Sequence, residues 1–350
     1  MPRYRGLTWD HPRGRDALVE ASVHRGIDLT WDVQPLSGFE STPIEQLAER
    51  YDLIVLDHPH LGDAVRHLQP VDELLSGEFV GPSVASYRMN GHLWALPLDA
   101  ATQVAATRAD RVGTPPRLWS EVVALSHRAP VALSLAGPHA LLTYMSICVA
   151  LGEEPTFDAT ETGHRALELM ADLTARAPRH SLVLDPIGLL ENMVSDDTLA
   201  HCPLVYGYVN YARRVTFTDA PSERPGSRPG STLGGTGLAI TRRCEVTPEL
   251  LDHLRWLLSA TAQESFVPAY SGQPARSSAW TSDQVNAPVA DFYRATLRTV
   301  TEAWVRPRCP GYIGFQTAAS EVVREIVYGE VAAAVGLDRI AALWKGIEHE

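Results

Sequence analysis

The chain has 350 residues, of which 45% are apolar and 21% are charged, as is ordinary for a globular protein. That length favours two domains over a single core. The formal net charge of −12 disfavours nucleic acid as a partner, because phosphate binding depends on basic side chains. Lys345 is the only lysine, which disfavours Schiff-base enzymes and pyridoxal phosphate as a cofactor.

The first hundred residues alternate between predicted strands and helices. Strands are predicted at residues 5–9, 29–33 and 53–56, and the helices between them end near Gly26 and Arg50. This order is typical of a parallel sheet. Further along, Asn90-Gly91 lies between two short strand-like segments and predicts a two-residue hairpin.

Beyond Arg108 the pattern becomes mainly helical. Helices are predicted at residues 118–127, 140–151, 163–176, 248–260, 288–302, 314–328 and 337–347. Strands are predicted at residues 131–135, 204–209 and 238–240, and an exposed loop at residues 221–230, which are rich in Pro, Gly and Ser.

The N-terminal residues and the apolar runs indicate in which cellular compartment the protein works. No apolar stretch with a cleavage site follows Met1, so a secretory signal peptide is not predicted. The longest apolar run, residues 140–151, is too short to span a bilayer. The sequence therefore predicts a cytoplasmic protein without membrane insertion. Its four cysteines lack the spacing of a zinc site or a disulfide framework: Cys148, Cys202, Cys244 and Cys309.

Nine segments match a known family in the order in which they occur. RMNGHLWALPLD at residues 88–99 resembles the hairpin YDGKLYGLPVD, and YDLIVLD at residues 51–57 resembles the strand PDVVYLD. The other matching segments are residues 7–9, 114–123, 203–208, 234–241, 248–263, 272–276 and 306–312. Together they resemble the bacterial extracellular solute-binding proteins of family 1, the carbohydrate type.

The resemblance implies a two-lobed α/β fold of the type II periplasmic-binding-protein kind, with a ligand cleft between the lobes. Lobe 1 would comprise residues 1–107 plus 239–304, and lobe 2 residues 108–238 plus 305–350. Three crossings would form the hinge, and the lobes would close on the ligand.

Acidic and imidazole side chains follow three predicted strand ends of lobe 1. Ligands of open α/β sheets bind outside the carboxyl ends of the strands, so these side chains are candidate ligand contacts. The acidic and imidazole candidates are Asp10, His11, Asp57, His58, His60 and Asp99. Trp9, at the end of the first strand, and Gln103, after Asp99, are further candidates. Each can also be a turn former or helix cap. No helix carries a paired set of metal ligands, so no metal is predicted.

The resemblance supplies further ligand contacts. They are Tyr206, Tyr208, Asn210, Gly235, Thr236, Arg276, Arg308 and Tyr312. The aromatic rings would stack on a sugar or another flat apolar face, and the arginines would hold an anionic group. The two tyrosines of the predicted strand can equally belong to the core, and the arginines to ion pairs.

Two functions follow from these observations. The first is a cytoplasmic protein of the solute-binding type that closes on a small polar organic ligand, sugar-like or carboxylated, without a cofactor. The missing signal peptide argues against an ABC transporter as its partner. The alternative is an enzyme on the same fold, of the lyase, isomerase or decarboxylase type. It would use His11, Asp57, His58 and Asp99 for general acid–base chemistry.

Overall fold

The structure is a computed structural model that describes residues 3–195 and 198–347. Its strands are β1 (Tyr4–Trp9), β2 (Leu29–Gln34), β3 (Leu53–Leu56), β4 (Leu68–Gln69), β5 (Arg88–Met89), β6 (His92–Leu93), β7 (Leu96–Asp99), β8 (Gln103–Thr107), β9 (His201–Tyr206), β10 (Thr216–Thr218) and β11 (Thr236–Thr241).

The α-helices range from three to sixteen residues. They are α1 (Pro12–Arg25), α2 (Leu36–Ser41), α3 (Ile44–Ala48), α4 (Leu61–Ala64), α5 (Ser83–Ser86), α6 (Ala109–Val112), α7 (Trp119–Ser126), α8 (His139–Ala150), α9 (Glu161–Arg176), α10 (Pro186–Ser195), α11 (Pro248–Leu257), α12 (Val267–Ala269), α13 (Ser277–Thr281), α14 (Asp283–Asn286), α15 (Phe292–Ala295), α16 (Leu297–Thr301), α17 (Tyr312–Val327) and α18 (Ala333–Ile347). All described helices are too short or too polar to span a lipid bilayer.

The described contacts divide the chain into two compact units. Unit 1 comprises the chain up to Ala101, then Gly234–Arg294 and Arg306–Tyr312. Unit 2 comprises Thr102–Leu233, Ala295–Val305 and the residues from Ile313 onward.

This division differs from the predicted lobe boundaries. Strand β8 lies in unit 2 because it pairs with β9 and β10, although it was predicted to close lobe 1. The start of β11 lies in unit 1 because it pairs with β7. The chain changes unit five times instead of the predicted three: after Ala101, Leu233, Arg294, Val305 and Tyr312.

Unit 1 contains a mixed sheet in the order β2-β1-β3-β11-β4, with β7 also paired to β11. Strands β1, β2 and β3 are parallel, as the strand–helix alternation predicts, whereas β11 runs antiparallel to β3. All four residues of β3 are buried, which explains its uninterrupted apolar sequence. The predicted hairpin is confirmed: β5 pairs with β6 through Asn90 and Gly91, whose φ angles are 53° and 84°.

Unit 2 is built around α8 and the three-stranded sheet β10-β8-β9. All twelve residues of α8 are buried, and the helix is apolar on nearly every side, as expected of a central core helix. Helix α9 packs against it and begins at the Thr160 side chain, which accepts a hydrogen bond from Gly163 N.

Two predicted elements are wrong. Residues 131–135, predicted as a strand, make only an isolated bridge between Val131 and His201. The predicted helix 288–302 starts only at Phe292, because Ala290 and Asp291 adopt positive φ angles of 51° and 58°. A regular right-handed helix cannot continue through two such residues. It is interrupted again at Thr296, which lies between α15 and α16 with a φ of −119° and a ψ of 5°.

Candidate ligand-binding site

Four strand ends of unit 1 lie at one edge of its sheet. Strands β1 and β3 are parallel, and both β3 and β7 run antiparallel to β11. The carboxyl ends of β1, β3 and β7 therefore meet the first residue of β11, Thr236, which lies opposite Asp99. The three strand ends that precede the predicted site residues therefore share one edge of the unit 1 sheet.

The carboxylate of Asp99 is held by a buried arginine. Arg13, in the first turn of α1, donates from Nε at 2.6 Å and from Nη2 at 2.5 Å to the two oxygens of Asp99. The side chains are only 4% and 5% exposed. Burial raises the pKa of Asp99, and the charge and hydrogen bonds of Arg13 oppose that shift. Both carboxylate oxygens of Asp99 are thus engaged within unit 1.

Asp57 has a similar partner. The guanidinium of Arg306 donates to Oδ2 of Asp57, whose side chain is 18% exposed. Burial, the largest single influence, raises the pKa of Asp57, but the charges and hydrogen bonds of Arg306 and His58 together outweigh it and keep the pKa below its usual range. The carboxylate therefore stays ionised and paired near neutral pH.

His58 is fully buried beside Asp57. Its Nδ1 lies 3.1 Å from Oδ1 of Asp57, and its ring meets Tyr87 edge-on at 6.3 Å between centroids. Its Nε2 has no hydrogen-bond partner among the described residues. Burial and the charge of Arg306 lower the pKa of His58 to about 4, so the ring is neutral at pH 7.

His11 caps α1. Its Nδ1 accepts a hydrogen bond from the backbone N–H of Arg13 at 3.1 Å, and Pro12 follows at the first helical position. Burial and the charges of Arg13 and Arg15 lower the pKa of His11 to about 4. Asp10, by contrast, is 54% exposed and pairs with Arg15 at 2.6 Å. The first strand end therefore provides a cap and an exposed carboxylate.

The remaining predicted residues at this edge are mostly buried. His60 is 3% exposed, and burial lowers its pKa. Trp9 and Thr236 are also 3% exposed. Gly235 has a φ of 88°, and a Cβ there would lie 2.5 Å from the carbonyl oxygen of Asp99, so this close approach requires glycine.

The two arginines that were predicted to bind an anion donate hydrogen bonds to neighbouring backbone carbonyl groups. Arg276 donates to the carbonyl oxygens of Ser76 and Leu258, at 3.1 and 2.8 Å. Arg308 donates to those of Ala85 and Ser86, at 2.5 and 3.1 Å. Both guanidinium groups therefore bind backbone segments of unit 1.

In unit 2, Gln103 lies in a buried polar network at the start of β8. Its Oε1 accepts from Ser146 Oγ at 2.5 Å, and its Nε2 donates to Thr143 at 3.3 Å. Tyr206, on the paired strand β9, donates to the carbonyl of Thr232 at 3.3 Å. Gln103 and Tyr206 thus lie close together, tied by the polar core of unit 2.

The other predicted residues differ in exposure. Tyr208 is 4% exposed and meets the ring of Tyr211 at 6.5 Å, whereas Asn210 is exposed to solvent. Tyr312, in unit 1, is fully buried. Of all sixteen predicted contacts, those with substantial exposure are Asp10, Asp57, Asn210, Gly235, Arg276 and Arg308.

Two features of the structure were not predicted. The first is the pair of arginines, Arg13 and Arg306, that hold the two carboxylates. The second is an aromatic cluster in unit 2, in which Phe157 lies 6.5 Å from Trp304 and 4.6 Å from Trp344 between ring centroids. Both tryptophans are half-buried. The sequence gives one signal for this cluster: Trp304 lies two residues before segment 306–312, one of the nine segments that resemble the solute-binding family.

Metal ligands do not gather within the described parts of the chain. No three His, Cys, Asp or Glu side chains there lie close enough to hold one metal ion. The imidazoles and carboxylates at the edge of the unit 1 sheet instead contact arginines, backbone groups and aromatic rings.

No protein-family model matches the sequence, and no curated protein matches it either. Solved structures do match over nearly the whole chain. Maltose-bound MalE3 of T. maritima aligns with a TM-score of 0.83 at 16% identity, covering 98% of this chain and 99% of that one. A ribitol complex of an ABC transporter solute-binding protein from Agrobacterium radiobacter K84 aligns with a TM-score of 0.78 at 20% identity, covering 97% of each chain.

A third likeness is to the maltotriose-binding protein of Thermus thermophilus, bound with maltotriose. The TM-score is 0.77 at 18% identity, and 99% of each chain is covered. Identities this low establish the fold and nothing finer. The chain has the two-lobed α/β fold of the type II periplasmic binding proteins.

Proposed function

We propose that the chain is a carbohydrate-type solute-binding protein that holds a small hydroxyl-rich ligand, a sugar or a polyol, without transforming it. Three structural neighbours are described as bound to maltose, ribitol and maltotriose. Membership of solute-binding family 1, a cytoplasmic location and the absence of a transporter partner stay predictions.

The proposal rests mainly on the ion pairs and the burial of the residues that were predicted to act as acid and base. Asp57 and Asp99 each engage an arginine, and His58 is fully buried and neutral. A general acid or base needs an accessible proton position at the reacting atom. Burial removes that position from Asp99 and His58, and the contact with Arg306 occupies one oxygen of Asp57, whose side chain is 18% exposed. These residues therefore support binding better than catalysis.

The choice of a hydroxylated ligand rests on the structural neighbours and on exposed polar side chains. The backbone contacts of Arg276 and Arg308 all come from Nη1 and do not decide between a hydroxylated and a carboxylated ligand. Asp10 and Asn210 are exposed polar side chains that can accept hydrogen bonds from hydroxyl groups.

The aromatic cluster of unit 2 supplies an apolar face. Trp304 and Trp344 are half-buried around Phe157, so part of each indole stays open to a partner. Tryptophan offers a large rigid face at low entropic cost, and sugar rings carry apolar faces of C–H groups. We assign the stacking surface to Trp304.

Isothermal titration calorimetry on the Trp304→Ala variant tests this assignment. The affinity for the sugar that binds the parent protein should fall about tenfold, or about 1.4 kcal/mol. Trp256→Ala is the matched control, because Trp256 is also half-buried and lies in a cluster of unit 1 with Phe266, 5.0 Å away. Equal affinities for the Trp304→Ala variant and the parent would reject the stacking role.

A further inference from the structure

A small cavity lies beside the ion pair of Arg13 and Asp99 in unit 1. Its volume is about 20 Å³. Besides the ion pair, the lining includes three polar residues, Trp9, Thr236 and Gln273, and the rest is apolar, with Leu98 among it. Gln273 donates from Nε2 to the carbonyl oxygen of Ala100 at 2.7 Å. A cavity of this size holds a single water molecule if it offers two to four polar partners.

Two polar atoms on residues of this lining have no hydrogen-bond partner among the described residues. They are the indole Nε1 of Trp9 and the hydroxyl oxygen of Thr236. Each residue is 97% buried, since its exposed fraction is 3%. A buried donor that makes no hydrogen bond costs about 1–3 kcal/mol, so native structures rarely leave one unpaired.

The cavity coincides with an irregularity in strand pairing. Thr236 lies opposite Asp99, but the next residue of β11, Gly237, lies opposite Pro97. Leu98 is therefore the extra residue of a β-bulge, which interrupts the regular hydrogen-bond ladder at this point. Leu98, Asp99 and Thr236, which flank this irregularity, all line the cavity.

We propose that this cavity is the site of one structural water molecule. The water accepts a hydrogen bond from Trp9 Nε1, bonds to the hydroxyl of Thr236, and donates to the carboxylate of Asp99. Such a water joins β1, β7 and β11 at the edge of the sheet. Trp9, Thr236 and Asp99 then face an internal water instead of the ligand, which separates this site from the proposed ligand contacts.

A crystal structure of the full chain at about 1.5 Å resolution or better tests the proposal. We expect an isolated density peak within hydrogen-bond distance of both Trp9 Nε1 and Thr236 Oγ1. Trp280 is the internal control: it is 1% exposed, but its Nε1 donates to Pro274 O at 2.9 Å, so no water should lie there. A cavity without density, or a protein acceptor on Trp9 Nε1, overturns the proposal.

The Thr236→Val variant provides a second test. Valine keeps the shape of threonine but removes one partner of the water, so the thermal unfolding midpoint should fall. Thr218→Val is the control, because Thr218 is only partly buried and its hydroxyl makes one long contact, 3.4 Å, to Asp219 O. An unchanged midpoint in Thr236→Val would overturn the assignment of Thr236 as a partner.

Discussion

The guanidinium of Arg13 makes a two-pronged contact with the carboxylate of Asp99, although the two residues are 86 positions apart in the sequence. The contact joins the first turn of α1 to the end of β7. Both side chains are almost completely removed from solvent. This relationship changes the interpretation of Asp99 from a candidate catalytic carboxylate to a structural one.

Breaking this pair on one side should destabilise the protein strongly. Asp99→Asn or Arg13→Met leaves a buried charge without its partner, which costs about 3–5 kcal/mol. The double variant Arg13→Met/Asp99→Leu should cost less than the sum of the single changes, because no charge is left unpaired. Urea unfolding monitored by circular dichroism measures all three values.

The exposed pair of Arg5 and Asp32 is the control for that experiment. Both of its side chains are 45% exposed, and its atoms lie 2.6 Å apart. Solvent screening limits such a pair to about 0–1 kcal/mol, so Asp32→Asn should have little effect. A loss below 1 kcal/mol in both single variants of the buried pair would contradict its structural role.

Five buried histidines should make the stability depend on pH. Burial is the main cause that lowers the pKa of His11, His58 and His253 to about 4 and that of His201 to about 3, from an ordinary value of 6.5, and it also lowers the pKa of His60. The unfolded chain takes up these protons near pH 6.5, whereas the folded chain takes them up only at lower pH. Stability is therefore greatest above pH 6.5 and falls toward pH 4, by about 1.4 kcal/mol per pH unit for each histidine at most.

Urea unfolding at pH 7.5, 6.0 and 5.0 measures this dependence. The His253→Leu variant should show a shallower fall, because it removes one of the five groups. Neither ring nitrogen of His253 has a hydrogen-bond partner among the described residues. His127→Leu, at an exposed position, should leave the slope unchanged. A stability that stays flat between pH 7.5 and 5.0 would contradict the burial of these imidazoles as neutral groups.

Gly62 should be required for the packing of segment Arg306–Tyr312. A Cβ at Gly62 would lie 2.1 Å from the backbone oxygen of Cys309, so the Gly62→Ala variant must displace the backbone. We expect a loss of about 1–3 kcal/mol in unfolding free energy. Gly314→Ala, in α17, meets no atom within 4 Å and should be neutral or slightly stabilising. Equal stabilities of the two variants would contradict the close approach.

Local sequence patterns predicted much of unit 1. The apolar run of β3, the Asn90-Gly91 turn and the end of α1 at Gly26 each reflect a backbone requirement within a few residues. The break before Phe292 was missed because Ala290 carries no signal for a positive φ angle, and a single Asp such as Asp291 is only a weak one. Such a break depends on tertiary packing, which outweighs local propensity.

The candidate site was harder to predict. Sequence placed Asp57, His58 and Asp99 at strand ends but gave no sign of their partners. Arg306 lies 249 positions from Asp57 in the sequence, so no local pattern could pair them. Contacts between residues so far apart in the sequence decide whether a carboxylate at a strand end faces a ligand or an internal arginine.

The central claim is that the chain binds a sugar or polyol without transforming it, and isothermal titration calorimetry tests it most directly. The purified protein would be titrated with maltose, maltotriose, ribitol and mannitol, and the ligand would then be recovered and examined by NMR. We predict saturable binding of at least one of the four at one ligand per chain, with the ligand recovered unchanged. No binding of any of them, or recovery of a chemically altered ligand, would contradict the account.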